Sequence, residues 1–590
     1  MRHLLSEIII KNFKSIQYET FELSAFTPLV GYNNAGKSNI LEGIKWLLRK
    51  NSLSETDFND IGKSVEVEGH ITGISAKMLG QLPVNHQSAI APFLHLDSLY
   101  IRRVQSSPNI PVAQIRLFVK DPTQIGTPDE WRHNPTGLDQ AIQALFPEPI
   151  HIGAMENSEE DVSKNKNTTT IGKLLSEIIG PIQSSYSNQV ETALEGIRSL
   201  LDADGSARAS ELNAFDTAVN SKVESFFPGV SIKVHVPTPE LKEVFSKGTI
   251  KIFENLDKSG KDVSSMGHGA QRAIQMALVR HLADIKRTNG GTTSNTILLI
   301  DEPELYLHPQ AIEVLRDALK TLSLQGYQVI FTTHSPFMIT SKDVENTILI
   351  RKIDKKGTYK RNSLKSVIPS VVSAAPSQLE LLFSLSHSSN ILFSERVILA
   401  EGTTENRLLP QIIQKVTSKT IGLHKTALVS MGGSLNTRKA MLVLNMIDMP
   451  TKAIVDLDYA LKHGEREGFL VAGDEDIFAI KSHLASIAHT HSILLNDGWP
   501  TNSSMSAANA FRLLARESAI QENLASLKAK MQAEDIYVWT KGTIEDHLGG
   551  IPKNEKGWSN FNSRLETEDL NLVLPIDGNE ITELVSWLFT

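Results

Sequence analysis

The chain has 590 residues, 41% of them hydrophobic, which is too long for one core and ordinary for a protein of three or four globular domains. Its 59 Lys and Arg against 67 Asp and Glu leave a net charge of -8, so a nucleic-acid partner has to be held by a local basic surface or through metal ions. The absence of cysteine excludes disulfides, Cys-ligated zinc and thiol nucleophiles, and fits a reducing interior.

The N-terminal MRHLLSEIIIKNFKSI breaks its apolar runs with Ser6, Glu7 and Lys11, and predicts a strand rather than a signal peptide. No apolar run approaches the ~20 residues that span a bilayer, so a soluble cytoplasmic chain with no membrane partner is expected. After the strand end Pro28-Leu29-Val30 comes Gly31-Tyr32-Asn33-Asn34-Ala35-Gly36-Lys37-Ser38-Asn39, then the helical spacing Ile40, Leu41, Ile44, Leu47. Strand, Gly-rich loop and helix start are the context of a phosphate-binding loop: glycines let backbone N–H groups wrap phosphates, Lys37 reaches the β/γ oxygens and Ser38 holds Mg²⁺. Alternation then marks residues 1–165 mainly as strands, most clearly Val65, Val67 and Ile71.

From Thr168 to Phe226 the period changes to three and four, with Ile171, Leu174, Leu175, Ile178, Ile179, Ile182 and later Phe215, Val219, Val223, which predicts a helical insert. Alternation in Val230, Ile232, Val234 and Val236 predicts that strands then resume. Ile297-Leu298-Leu299-Ile300-Asp301-Glu302 reads as a buried strand delivering two acids, Asp301 for the Mg²⁺ shell and Glu302 to orient and polarise the attacking water. Between these elements stands Ser265-Met266-Gly267-His268-Gly269-Ala270-Gln271-Arg272, and after the next strand signal, Gln328–Phe331, comes Thr332-Thr333-His334-Ser335.

Together with Lys37-Ser38-Asn39, these pieces resemble the head of ABC-type ATPases of the SMC and DNA-repair branch. The resemblance implies that Ser265, Gly267 and Gly269 cap the ATP of an opposite protomer, that His334 contacts the γ-phosphate in its own, and hence that the chain forms a dimer. Long-armed members insert hundreds of residues of coiled coil; about 225 residues separate the two motifs here, without heptads. The insert is short enough for a dimerisation element.

A composition shift between Ser341 and Asn390 marks the main boundary. Beyond it, the strand Val397-Ile398-Leu399-Ala400 delivers Glu401, Gly402 allows a turn, and Glu405 opens a helix; Ala453–Val455 is a second apolar strand, ending in Asp456-Leu457-Asp458. Oxygen ligands of this kind suit Mg²⁺ or Mn²⁺. Glu401 with Glu405 alone also fits a solvated helix start, since acids favour helix N-termini. Glu at one strand end, Asp-X-Asp at a later one and a Gly turn at Gly432-Gly433-Ser434 between them resemble the Toprim domain of topoisomerases, primases and some nucleases.

ABC-type head followed by Toprim resembles the OLD (overcoming lysogenization defect) family of ATP-dependent nucleases over nearly the whole chain. The resemblance extends to Val538–Asp546, where Glu545 would be a further metal ligand and Lys541 would neutralise the charge of the transition state. It implies an α/β multidomain protein: an ATPase head at 1–165 and 228–345, a helical dimerisation insert at 166–227, a linker at 346–392 and a Rossmann-like Toprim nuclease domain at 393–590. The implied function is ATP hydrolysis with cleavage of DNA by a two-metal mechanism in anti-phage defence, as a homodimer or higher oligomer, with a helicase or retron reverse transcriptase as candidate partner. The competing reading is a DNA clamp or recombination-mediator ATPase whose Toprim acids are structural or regulated by a partner. A topoisomerase would need a tyrosine nucleophile in a DNA-winding domain, and no segment has that appearance.

Two further groups are open. Arg351, Lys352, Lys355, Lys356, Lys360, Arg361 and Lys365 cluster with Asp354 as the only acid, either as a phosphate-binding patch or as a solvated hairpin. Asp474, Glu475 and Asp497 stand in the motif-free stretch 462–531, as extra ligands or as solvated acids.

Overall fold

The computed structural model describes residues 3–133, 135–146, 149–153, 170–240, 251–253, 260–288, 296–362, 388–431, 437–503 and 505–590. The chain divides into two compact units, the first built mainly from residues up to Met338 and the second mainly from Lys360 onward.

The first unit is organised on a mixed sheet. Leu4–Phe13 pairs antiparallel with Ile16–Glu22 on one side and Val65–Thr72 on the other, and the antiparallel run continues through Leu99–Gln105, Arg116–Lys120 and Trp131–His133. The alternation read from the sequence is physical here: Val65, Val67, Gly69 and Ile71 are buried while the residues between them are half-exposed. Elsewhere in the sheet, Ile297–Ile300 lies parallel between Ile150–Ile152 and Gln328–Thr333. Ile297–Ile300 and Gln328–Thr333 are buried throughout, as parallel strands covered on both faces must be.

The helical insert is present as Thr170–Leu201 and Ser210–Val223. The strand expected at Val230–Val236 is absent. Its backbone is instead bonded by side chains of the preceding helix: Asn220 accepts from Ile232 N–H at 2.7 Å and donates to Ile232 O at 2.8 Å, and Asp216 accepts from Val234 N–H at 3.0 Å. A side-chain amide thus does what a neighbouring strand would have done, and Val230, Ile232 and Val236 remain exposed.

The second unit carries a four-stranded parallel sheet in the order Thr426–Ser430, Arg396–Ala400, Thr451–Asp456, Ile536–Trp539. Alternate residues of each strand enter two different cores: Val397, Leu399, Ala453, Val455, Ile536 and Val538 on one face, and Ile398, Ile454, Tyr537 and Trp539 on the other. The second core is completed by Ile581, Leu584, Val585 and Leu588 of the helix Gly578–Phe589. The chain steps from Arg396–Ala400 outward to Thr426–Ser430 and then back across to Thr451–Asp456, so a topological switch point lies between the strands that end at Ala400 and Asp456. Crevices at such points, outside the carboxyl ends of parallel strands, are where doubly wound folds place their sites.

Among the described residues, no helix is long and apolar enough to cross a membrane.

Candidate functional site

The phosphate loop is shaped by backbone conformation. Asn34 (φ 66°) and Gly36 (φ 96°) are left-handed, which turns successive N–H groups to one side. The glycine at 36 is obligatory twice over, because a Cβ there would collide with Thr358 Oγ1 and stand 2.7 Å from Ser15 Oγ. Those two hydroxyls back the loop from outside: Thr358 Oγ1 donates to Ala35 O at 2.8 Å, and Asn39 Nδ2 donates to Ser15 Oγ at 2.7 Å. The helix Lys37–Leu48 that follows has no side-chain cap and no acid in its first turn, so its positive end is fitted to an anion. Asn33 and Asn34 are exposed, Ala35 and Lys37 buried.

Strand ends of the same unit supply the rest. Ser38 Oγ donates to Asp301 Oδ2 at 2.6 Å, which brings the two expected Mg²⁺ ligands together, and Thr332 Oγ1 bonds Asp301 Oδ1. His334 Nε2 lies 2.7 Å from Lys37 Nζ and 3.1 Å from Glu302 Oε1. That histidine contact, reinforced by the charges of His334 and Lys37, holds the Glu302 carboxyl below its usual range against the effect of burial. Glu302 itself sits at φ 47°, a conformation a non-glycine residue adopts only when its surroundings impose it. Arg272 is part of that imposition, although sequence inspection gave it no role: its buried guanidinium donates to Asp301 O and Glu302 O, both at 2.7 Å, and to Gly153 O at 3.0 Å. Ser265 and Gly267 are exposed at the start of the helix His268–Thr288, and Gly269 is half-exposed there.

The acidic set of the second unit assembles at the switch point. Oxygens of Glu401, Asp456 and Asp458 lie within 4.8 Å of one another, and Asp456 N–H donates to Glu401 Oε2 at 3.0 Å. Asp456 Oδ1 is buried without a hydrogen-bond partner. Burial, and then the charges of Glu401, Glu405 and Asp458, push the Asp456 carboxyl well above the usual range. A buried, unpartnered carboxylate oxygen facing other carboxylates is the donor set of a hard divalent cation, and the residues fit Mg²⁺ or Mn²⁺.

Glu405, in the first turn of the helix Thr403–Thr417, is buried beside this group. Desolvation, together with the charges of Glu545 and Glu401, raises it to about 7. Glu545, on the short helix Ile544–His547 after the fourth strand, accepts from Thr404 Oγ1 at 2.6 Å; burial opposes its ionisation, but this bond, one from Thr543 and the charge of Lys553 hold it below the usual range. The structure therefore brings three of the five predicted acids, Glu401, Asp456 and Asp458, within 4.8 Å of one another, with Glu405 buried close by.

Lys541 departs from expectation. Its ammonium is ion-paired with Asp577 and, at 3.3 Å, with Glu580 of the C-terminal helix. Two other cations stand beside the acids: Lys553, whose Nζ lies 3.7 Å from Glu545 Oε1 and whose side chain is 65% exposed, and Lys462, whose Nζ lies 3.6 Å from Asp458 Oδ2. The signal in the sequence was slight: Gly549 and Gly550, both left-handed, turn the chain back ahead of Lys553.

The remaining expectations divide. Arg351 and Arg361 are buried, with Arg351 donating to Ser394 O at 2.6 Å and Arg361 to Glu395 O at 3.2 Å, so neither faces a nucleic acid; Lys355 and Lys356 are exposed at a strand-to-strand turn. Lys365 and the turn Gly432-Gly433-Ser434 lie outside the described residues. Asp474 caps the helix Glu475–Ala488 and is bridged with Asp476 by Lys530 at 2.7 and 2.8 Å, while Asp497 occupies a left-handed turn, φ 52°. These acids are structural rather than ligands of the cluster.

Fold and sites together define the class: an ATPase domain joined in one chain to a Toprim nuclease domain. The AAA ATPase domain profile matches residues 4–81 and 113–339, and the profile of the overcoming lysogenization defect protein-like TOPRIM domain matches 392–458. Over 99% of both chains, the sequence is 37% identical to the Old nuclease of Escherichia phage P2. It is 25% identical to the endonuclease GajA of Bacillus cereus, covering 78% of this chain and 75% of that one, and 27% identical to the OLD nuclease of Thermus scotoductus, covering 77% and 82%. The chain belongs to the OLD nuclease family.

Proposed function

We propose that this chain is an ATP-hydrolysing, divalent-metal-dependent DNA endonuclease acting in defence against phages. The observation that carries the reading is the convergence of Glu401, Asp456 and Asp458 around the unpartnered Asp456 Oδ1 at a topological switch point. Relatives named as the Old nuclease and as an endonuclease support it.

At the nucleotide site, the loop amides and Lys37 hold the phosphates, Ser38 and Asp301 hold Mg²⁺, Glu302 orients and polarises water, and His334 contacts the γ-phosphate. At the nuclease site, Glu401, Asp456 and Asp458 hold one ion, and Glu405 with Glu545 are placed to hold a second. Bound ions there supply Lewis acidity and a water activated at neutral pH. Lys553, exposed beside Glu545, is placed to offset charge on the scissile phosphate. The exposed Phe226 and Phe227 at the end of the insert, with Val230 and Ile232 just after it, support a dimer formed through that region.

The test compares wild type, Lys37→Ala and Asp456→Ala for ATP hydrolysis and for Mg²⁺- or Mn²⁺-dependent cleavage of plasmid and single-stranded DNA. Asp456→Ala should hydrolyse ATP without cutting, and Lys37→Ala should lose ATP hydrolysis. A wild type that never cuts, or an Asp456→Ala protein that cuts normally, overturns the nuclease reading in favour of a clamp.

A further inference from the structure

We propose that Glu304 is a positioning residue for ATP hydrolysis, holding His334 in place through the backbone; the proposal rests on the role given to His334 above. Glu304 is 9% exposed and lies on the turn that follows the buried strand Ile297–Ile300. One of its oxygens, Oε1, collects three hydrogen bonds from the end of the adjacent strand: from Thr333 Oγ1 at 2.7 Å, His334 N–H at 2.6 Å and Ser335 N–H at 3.1 Å. Two consecutive backbone amides aimed at one carboxylate oxygen fix the peptide planes on both sides of His334. The imidazole is thereby delivered to its place 2.7 Å from Lys37 Nζ and 3.1 Å from Glu302 Oε1.

The same short segment thus sets both ends of the active geometry. Glu302, which would polarise the water, is held left-handed; across the single residue Pro303, Glu304 anchors the histidine loop. The other oxygen of Glu304, Oε2, is buried without a partner, and burial pushes the carboxyl upward, against those three bonds. An apolar side chain here would leave the His334 and Ser335 amides and the Thr333 hydroxyl without this acceptor, so the carboxylate serves what Oε1 organises.

The experiment measures ATPase kcat and KM, nucleotide affinity by fluorescent-ATP titration, and thermal melting for wild type, Glu304→Ala, Glu304→Gln, Thr333→Val and His334→Ala. Glu304→Ala should lower kcat about tenfold or more while KM and affinity stay within about twofold. Glu304→Gln, which keeps an acceptor oxygen, should recover most of the loss. Thr333→Val, which removes one of the three donors without altering the carboxylate, should lower kcat several-fold and keeps the test decisive if Glu304→Ala does not fold. A folded Glu304→Ala with normal kcat, a loss of kcat and affinity in equal proportion, or no recovery by Gln overturns the proposal. If His334→Ala hydrolyses ATP normally, the histidine reading fails and the proposal falls with it; if His334→Ala is impaired and Glu304→Ala is not, only the proposal fails.

Discussion

Asp456 donates its backbone N–H to Glu401 Oε2 at 3.0 Å across two adjacent parallel strands. The bond pins the Glu401 carboxylate by main chain, so the side chain of Asp456 is left for an ion. Asp456→Asn keeps that main-chain bond and removes one of several buried like charges. The metal-free variant should melt a few degrees higher than wild type, roughly 2–4 °C per kcal/mol relieved in a domain of this size. Mn²⁺ should no longer raise its Tm, and cleavage should be lost; scanning fluorimetry across a Mn²⁺ series checks both.

Glu405 gives the metal-free protein a pH dependence. Its carboxyl is raised in the folded state to about 7 from 4.5, so its contribution is fully present below pH 4.5 and is lost as pH rises through 7. The loss is on the order of 3 kcal/mol at most. Urea titrations in EDTA at pH 5 and pH 8 should show this fall. Glu405→Gln should flatten it, as should saturating Mg²⁺ at pH 8.

Thr404→Val removes the hydroxyl that donates to Glu545 Oε1 at 2.6 Å while leaving the shape nearly unchanged. Loss of an orienting bond to a ligand should raise the half-saturating Mn²⁺ concentration for cleavage about tenfold. Cleavage at saturating metal should be reduced far less. An unchanged Mn²⁺ dependence would remove Glu545 from the ligand set.

Gly36→Ala meets both a left-handed φ of 96° and the Thr358 and Ser15 hydroxyls. The variant should lose nucleotide binding and about 2 kcal/mol of stability. Fluorescent-ATP titration and thermal melting measure the two effects separately.

The apolar tip of the insert should matter only to assembly. Phe226→Ser with Phe227→Ser, at positions 77% and 67% exposed, should leave the Tm within about 2 °C while shifting sedimentation toward monomer.

Much of this was legible because it rests on short-range chemistry. Gly36-Lys37-Ser38 needs only a strand before it and a helix after it; Glu401 and Asp456 each close an apolar strand and Asp458 opens the helix that follows, so the parallel sheet brings them together. What escaped reading depends on partners distant in sequence. Lys541 looked like the site cation, but Asp577 and Glu580, more than thirty residues later, claim its ammonium, and Lys553 and Lys462 take its place. Arg351 and Arg361 looked like surface charge, yet both spend their donors on carbonyls of a segment some forty residues on. The alternation at Val230–Val236 was genuine, and only Asn220 and Asp216, which bond the segment from a helix, reveal why no strand forms. Arg272 closed a motif without a role of its own and Glu304 belonged to none; their roles exist only once two strand ends lie side by side.

The helix Gly578–Phe589 shares the covering of one face of the nuclease sheet through Ile581, Leu584, Val585 and Leu588, and its Glu580 pairs at 3.0 Å with His547, on the short helix that carries Glu545. A helix that supplies none of the clustered acids thus packs behind the strands that deliver them, so loosening it would cost the nuclease site its support without touching Glu401, Asp456 or Asp458.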